Sequence, residues 1–166
     1  NGKYSTHGIM VEVLVDGQFG YYGTPNISKE GVDHASMNAY KQAKAASKYS
    51  VHSFSDEVRP KSIGTYKSPF IKHIKDVSAK ELNVLLLEAY KHLRVSNKIV
   101  SATSLATTIE TNFHYVSSNG SDILQEFLML EFDLSATAVE GSNQQTRTFG
   151  GMRGTCRQVG MEFLDQ

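Results

Sequence analysis

The hydrophobic pattern begins with the two-residue period of a β-strand and predicts an N-terminal hairpin. The alternating apolar positions are Ile9, Val11, Val13 and Val15. Asp16-Gly17 follows them, a dipeptide that tolerates the positive φ angles of a tight turn. Phe19 and Tyr21 continue the alternation, so the hairpin is expected to end near residue 22.

The pattern then changes to the three- and four-residue spacing of a helix, expected over residues 28–48. Ser28 is suited to cap the first turn, and Glu30 lies near the positive end of the helix dipole. The residues of its apolar face are mostly small: Val32, Ala35, Ala39, Ala43 and Ala46. Such a face lets a helix lie close against a sheet.

A second helix is predicted over residues 78–94. Ser78 and Glu81 have the spacing of a capping box, in which each side chain bonds the backbone N–H of the other residue. The face expected to be buried consists of Leu82, Leu85, Leu86, Ala89 and Leu93.

Residues 49–77, between the two helices, have no clear period and contain Pro60, Gly64 and Pro69. This segment is also the most basic part of the chain. It is interpreted either as a solvated connector or as a surface for an acidic partner.

After residue 98 the two-residue period returns. Apolar positions at 99–115 predict strand, with a break expected near residues 107–110 because an unbroken strand would be unusually long. Residues 124–138 predict a half-buried strand, and turns are expected at residues 118–121 and 140–143. The 166 residues are therefore expected to form a single α+β domain, 1–166, with two helices packed on a largely antiparallel β-sheet.

Composition excludes several classes of function. Seventeen Lys and Arg balance seventeen Asp and Glu, which argues against binding to nucleic acid or to an anionic membrane. No apolar run approaches the length of a transmembrane helix. The single cysteine, Cys156, excludes a disulfide framework and predicts a cytoplasmic location.

No self-contained active site can be assigned from the residue types and their spacing. The six histidines lie at least eighteen residues apart and form no His-Glu-x-x-His motif. No Gly-x-Ser-x-Gly nucleophile motif occurs. Cys156 lies beside Arg157, which could lower the pKa of a thiol, but a structural cysteine is favoured. No catalytic residue and no metal ligand is therefore predicted.

The order of motifs nevertheless resembles the N-terminal half of the TldD/PmbA family, long labelled modulators of DNA gyrase and understood as zinc metallopeptidases. The motifs that carry the resemblance are the hairpin at 7–21, the helix entry at 24–30, Tyr66-Lys67-Ser68-Pro69, the turn at 115–121, Leu134-Ser135-Ala136-Thr137-Ala138 and the glycine-rich segment at 150–154. The return strand of the hairpin and the Ser-Ala-Thr-Ala strand look more like the TldD branch.

The resemblance implies a function that the residues alone do not. The zinc motif of the family belongs to its C-terminal half, so no zinc ligand can be transferred to this sequence, and zinc is expected only in the full-length protein. The chain is expected to be an N-terminal-type domain without the metal-bearing half. Its implied role is non-catalytic: it would help to form the substrate chamber and hold an extended peptide by strand pairing. By itself it is expected to bind no zinc and to cleave no peptide.

Two other hypotheses stay open at this stage. One is a stand-alone binding or scaffold module without a role in proteolysis, and the other is an independent enzyme that uses a carboxylate or Cys156. The resemblance also implies partners other than the peptide, namely the missing C-terminal half and a second family member in a homo- or heterodimer.

An interface for such a partner is predicted in the C-terminal third. Obligate interfaces are more apolar than ordinary surface. The candidate interface residues are Phe127, Met129, Phe149, Met152, Met161 and Phe163. At least two of them are expected to be exposed or covered only by another copy of the chain. The alternative is that they form a second small core.

Overall fold

The chain forms two compact units, Asn1–Lys61 and Ser62–Gln166, in a computed structural model that describes residues 2–151 and 154–165. Each unit has its own sheet and its own α-helix, so the predicted α+β class is confirmed. The division differs from the expected single sheet and single domain. The hairpin pairs only with itself, and the strands after residue 98 belong to a separate four-stranded sheet.

The N-terminal unit begins with the predicted hairpin. Strand β1 (Ile9–Val15) pairs antiparallel with β2 (Gln18–Thr24). Asp16 and Gly17 have φ angles of 48° and 74°, so both central residues of the turn are left-handed, as a two-residue hairpin turn requires. The hairpin extends two residues beyond its expected end.

Helix α1 (Lys29–Ala46) packs against this hairpin through the predicted stripe of small residues. The Ser28 hydroxyl accepts a hydrogen bond from the backbone N–H of Gly31 at 3.3 Å, which confirms the predicted N-cap. Ala35, Ala39 and Ala43 are fully buried, but Ala46 is exposed because the α-helix ends there. The small stripe allows the backbone of β2 to approach the helix closely.

The segment after α1 covers the other side of the hairpin. The backbone N–H of Phe54 donates to the Gly17 carbonyl at 2.9 Å, and the Phe19 and Phe54 rings lie 5.4 Å apart. The guanidinium of Arg59 donates to both carboxylate oxygens of Glu12, at 3.1 and 2.8 Å. These contacts give structure to a region whose sequence has no period.

The C-terminal unit is built around one long central strand, β5 (Asp122–Glu140). Strand β4 (Ile99–Val116) pairs antiparallel with one edge of β5, and β6 (Asn143–Phe149) pairs antiparallel with part of the other. The predicted turns at 118–121 and 140–143 join these strands, with Gly120 and Gly141 at positive φ. The expected break near residues 107–110 is wrong, because β4 pairs continuously with β5 from Ser101 to Val116.

Strand β3 (Ile63–Lys67) lies in the segment where no element was expected, and it pairs parallel with residues 122–126 of β5. All five of its residues are exposed, so it has no buried alternation to reveal it. Pairing with a strand distant in sequence therefore defines β3. The sheet is largely antiparallel, as predicted, and β3 adds a parallel pairing to it.

Helix α2 (Ala79–Leu93) packs against β4 and β5. Its predicted capping box is confirmed: the Glu81 carboxylate accepts from the Ser78 N–H at 2.7 Å, and the Ser78 hydroxyl accepts from the Glu81 N–H at 3.2 Å. The predicted face is only half-buried, and Leu85 is exposed. A lone helix on one face of a sheet has only one side covered, so Leu85 lies at the margin of the contact.

The edge of β5 between β3 and β6 is completed by a segment without regular structure. Leu130 and Arg157 exchange two backbone hydrogen bonds, at 2.9 and 3.0 Å. The Thr155 hydroxyl, which is buried, accepts from the Phe132 N–H at 3.1 Å and donates to the Phe132 carbonyl. The Thr155 side chain thus bonds backbone groups of β5 that a neighbouring strand would otherwise bond.

Replacing Thr155 with valine is therefore expected to destabilise the C-terminal unit by about 1–3 kcal/mol, because the shape is kept while two backbone groups of Phe132 lose their partner. Chemical denaturation followed by circular dichroism measures this change. Thr103→Val is the matched control, since Thr103 is exposed on β4 and has little to lose. Equal stability of the two variants would contradict the role given to the hydroxyl.

Candidate interaction surface

One face of the β4–β5 ribbon carries a row of exposed apolar side chains. Leu105, Ile109 and Phe113 are 50%, 38% and 49% exposed, and they lie on the same face of β4 because they are an even number of residues apart. The strand register places Met129 opposite Ile109 and Phe127 opposite Thr111. We call this set of five apolar residues the apolar row.

Phe127 and Met129 are thus the two predicted interface residues that the structure brings together, both half-buried in the apolar row. The Phe127 ring lies 5.5 Å from the Tyr66 ring of β3. The Tyr66 hydroxyl in turn donates to the Gln158 side chain at 2.5 Å. These contacts position one end of the apolar row.

The other predicted interface residues lie elsewhere. Phe149 is 55% exposed, but it pairs with Leu134 and so lies on the opposite face of the sheet. Met161 is only 3% exposed, and Phe163 is half-buried beneath the Arg157 guanidinium. Met152 lies outside the described residues. The interface itself stays a prediction.

Leu105, Ile109 and Phe113 were missed as surface residues, although their spacing was visible in the sequence. They recur every fourth residue, with Thr107 and Thr111 between them. That spacing alone does not distinguish a buried strand face from an exposed one. Only the position of the covering helix on the other face makes the distinction.

The C-terminal segment is held against the chain near residue 72 by a carboxylate. Glu162 accepts hydrogen bonds from the backbone N–H groups of Lys72 and Gly160, each at 2.9 Å and each on a different oxygen. Partial burial raises the pKa of Glu162, but these and other backbone N–H groups outweigh burial and lower it to about 2. The carboxylate therefore stays ionised and has a structural role.

A small polar cleft lies beside β3 and the residues that follow it, and Phe127 of the apolar row also lines it. It has a volume of about 40 Å³ and holds the ion pair of Lys67 with Glu126 at 3.3 Å, and its Glu110 pairs with Lys75 at 2.8 Å. The Lys67 ammonium also lies 5.8 Å from the centre of the Phe70 ring. Its charges are paired with each other, and the space is too small for more than a fragment of a substrate.

Metal-binding side chains and the thiol of Cys156 are the remaining groups that could carry chemistry. Among residues 2–151 and 154–165, no three His, Cys, Asp or Glu side chains are grouped so that they could hold a metal ion. These described residues therefore do not fit a zinc site. Cys156 is exposed, on the segment that completes the edge of β5.

No helix in the described part of the chain combines the length and the apolar character needed to cross a membrane.

Comparison with known proteins finds similarity to a family model and to solved structures. Residues 72–165, more than half of the chain, match the model of the PmbA/TldA metallopeptidase central domain. The fold is similar to a crystal structure of a proposed modulator of DNA gyrase from Bacteroides thetaiotaomicron, with a TM-score of 0.66 and 15% sequence identity. That similarity covers 88% of this chain and 34% of the other, so this chain spans about a third of that protein. No curated protein matches the chain at a significant level.

Proposed function

This chain belongs to the PmbA/TldD metallopeptidase family, as its sequence motifs predicted, and from that premise we propose that it is a non-catalytic domain that holds an extended polypeptide along the edge of its sheet. The matched model is that of the central domain, whereas the motifs had suggested the N-terminal half. For the full-length parent protein we also propose peptide hydrolysis, a bound zinc ion and a cytoplasmic location. The observation that carries the proposal is the free edge of β4.

Strand β4 has eighteen residues and pairs on one side only. Within the described ranges, β5 is its single strand partner. Edge strands present a row of unpaired N–H and C=O groups, which a further strand can bind. A length of eighteen residues is well above the five or six that are usual for a strand, so several residues of a peptide could pair at once.

The hydrogen bonds of β5 show which residues of β4 have backbone N–H and C=O groups that face away from β5. Even-numbered residues of β5, such as Glu126 and Leu130, bond the segments on the side away from β4. Backbone groups alternate in direction along a strand, so the odd-numbered residues of β5 bond β4. Their partners on β4 are also odd-numbered, as in the pair Thr111 and Phe127. The even-numbered residues of β4 therefore direct their N–H and C=O groups outward.

The sequence of β4 lacks the usual devices that block pairing at an edge. It contains no proline, lysine or arginine. Its acidic residue and its histidine are engaged already: Glu110 pairs with Lys75, and His114 lies 2.8 Å from Asp122. The remaining residues are mainly Ser, Thr and apolar side chains, which are well suited to strand pairing. This composition supports a pairing role.

The apolar row lies alongside this edge. A strand added to β4 would place alternate side chains next to Leu105, Ile109 and Phe113, and it would bury part of their exposed area. Backbone pairing accepts many sequences, while these contacts add affinity. We propose in addition that Phe127 and Met129 contribute to contacts with the rest of the parent protein or with a second copy.

The Asn112→Pro variant tests whether the edge of β4 binds a peptide. Residue 112 is even-numbered and exposed, so proline removes one outward N–H and places its ring in the path of an added strand. Binding of a labelled, unstructured peptide, measured by fluorescence anisotropy, is expected to weaken by about tenfold. Asn112→Thr is the matched control, which keeps the N–H and the strand propensity and is expected to bind like the unmodified chain.

Circular dichroism and thermal unfolding of both variants establish whether β4 is retained. Equal peptide binding by a folded Asn112→Pro variant and by Asn112→Thr would show that the edge of β4 is not the binding element. Absence of binding by the unmodified chain would reject the proposed function as a whole.

A further inference from the structure

A groove of about 370 Å³ lies where helix α2 ends above the sheet of the C-terminal unit. Along this face of β5, large side chains from Leu128 to Leu134 give way to Ala136 and Ala138. Helix α2 ends at Leu93, and the two alanines leave the space beside it unfilled. A volume of this size lies within the range of small-molecule sites.

The groove has an apolar floor and a smaller number of polar residues around it. Its apolar residues are Leu93, Val95, Ile99, Ala136 and Ala138. Its polar residues are His92, Gln145 and Arg147, and among the described residues no acidic side chain lines it. The register places Gln145 beside Ala138 and Arg147 beside Ala136, so these two polar residues lie on the β6 side of the groove, whereas His92 belongs to α2.

Arg147 has a charge that its own surroundings do not neutralise. Its Nη1 atom donates to the Gln145 side chain at 3.2 Å and to the Thr146 carbonyl at 3.0 Å, both uncharged acceptors. In the part of the chain that the structure describes, no carboxylate lies within ion-pair distance of Arg147. A guanidinium in this position is suited to a carboxylate, which it can bind through two parallel hydrogen bonds.

We propose that this groove binds a small aliphatic carboxylic acid as its carboxylate. The aliphatic chain lies over Ala136 and Ala138 beneath Leu93, and the carboxylate pairs with Arg147. The apolar floor excludes a fully polar anion, and the basic end excludes a cation. The groove contacts β4 only at Ile99, its first residue, and does not include Asn112, at which the edge of β4 is tested.

Calorimetric titration of the chain with sodium octanoate tests the site, with acetate and octanol as the two comparison ligands. Octanoate is expected to bind more tightly than either, because acetate lacks the chain and octanol lacks the charge. Arg147→Gln is expected to weaken octanoate binding by about tenfold and to leave octanol binding unchanged. Lys91→Gln, on α2 but outside the groove, is the charge control and is expected to bind octanoate normally.

Ala138→Leu fills the groove and is expected to abolish binding of both octanoate and octanol. Thermal unfolding establishes whether each variant is folded. If Ala138→Leu does not fold, octanoate binding by Arg147→Gln tests the proposed site. The proposal is overturned if octanoate does not bind, if octanol binds equally well, or if Arg147→Gln and Lys91→Gln bind octanoate alike.

Discussion

Replacing Gly20 with alanine is expected to cost the N-terminal unit about 3 kcal/mol of its free energy of unfolding. A Cβ atom at this position of β2 would lie 2.0 Å from the Ala39 carbonyl oxygen and 2.6 Å from the Ala43 backbone nitrogen. Both atoms belong to the backbone of α1, so the added methyl group cannot be accommodated by a side-chain rotation. The helix must move away from the hairpin or the unit must unfold. Hydrogen exchange of the amides in residues 9–46 measures the loss directly.

Gly23→Ala is the matched control for this prediction. Gly23 lies on the same strand, and a Cβ atom there would meet nothing within 4 Å. The change is expected to alter stability by no more than about 0.5 kcal/mol. Similar exchange protection in the Gly20→Ala and Gly23→Ala variants would mean that close contact between β2 and α1 is not what stabilises the unit.

Glu162→Gln is expected to destabilise the C-terminal unit by about 1–2 kcal/mol at neutral pH. The two carboxylate oxygens of Glu162 accept from two different backbone N–H groups, those of Lys72 and Gly160. The amide of glutamine has a single acceptor oxygen, so its NH₂ group would face one of these donors. Urea denaturation at a series of pH values measures the difference between the two proteins.

The pH dependence of this difference follows from the lowered pKa. Since the pKa of Glu162 falls from its ordinary 4.5 to about 2 on folding, its contribution to stability is full above pH 4.5. It is lost as the pH falls from 4.5 towards 2, and the two proteins are expected to converge there. Glu88→Gln, on the exposed side of α2, is expected to show neither the loss nor the convergence. A constant difference across this pH range would contradict the assigned hydrogen bonds.

Local signals in the sequence determined the elements whose stabilising contacts lie close together along the chain. The Asp16-Gly17 turn, the Ser28 cap and the capping box of Ser78 with Glu81 each depend on residues within a few positions. The small stripe of α1 was also readable, because a helix repeats its face every three or four residues. The family was also recognisable, because its motifs are short stretches of sequence that follow one another in a fixed order.

Tertiary structure alone decided the features that depend on distant partners. Strand β3 exists because residues 122–126 pair with it, and β4 continues without a break because β5 matches it along its length. The apolar row and the groove likewise depend on contacts between distant parts of the chain. Whether Ile109 is exposed, and whether Ala138 borders an open space, depends on where α2 lies and ends. The period of a strand tells which side chains share a face, but a contact from elsewhere in the chain decides which face is covered.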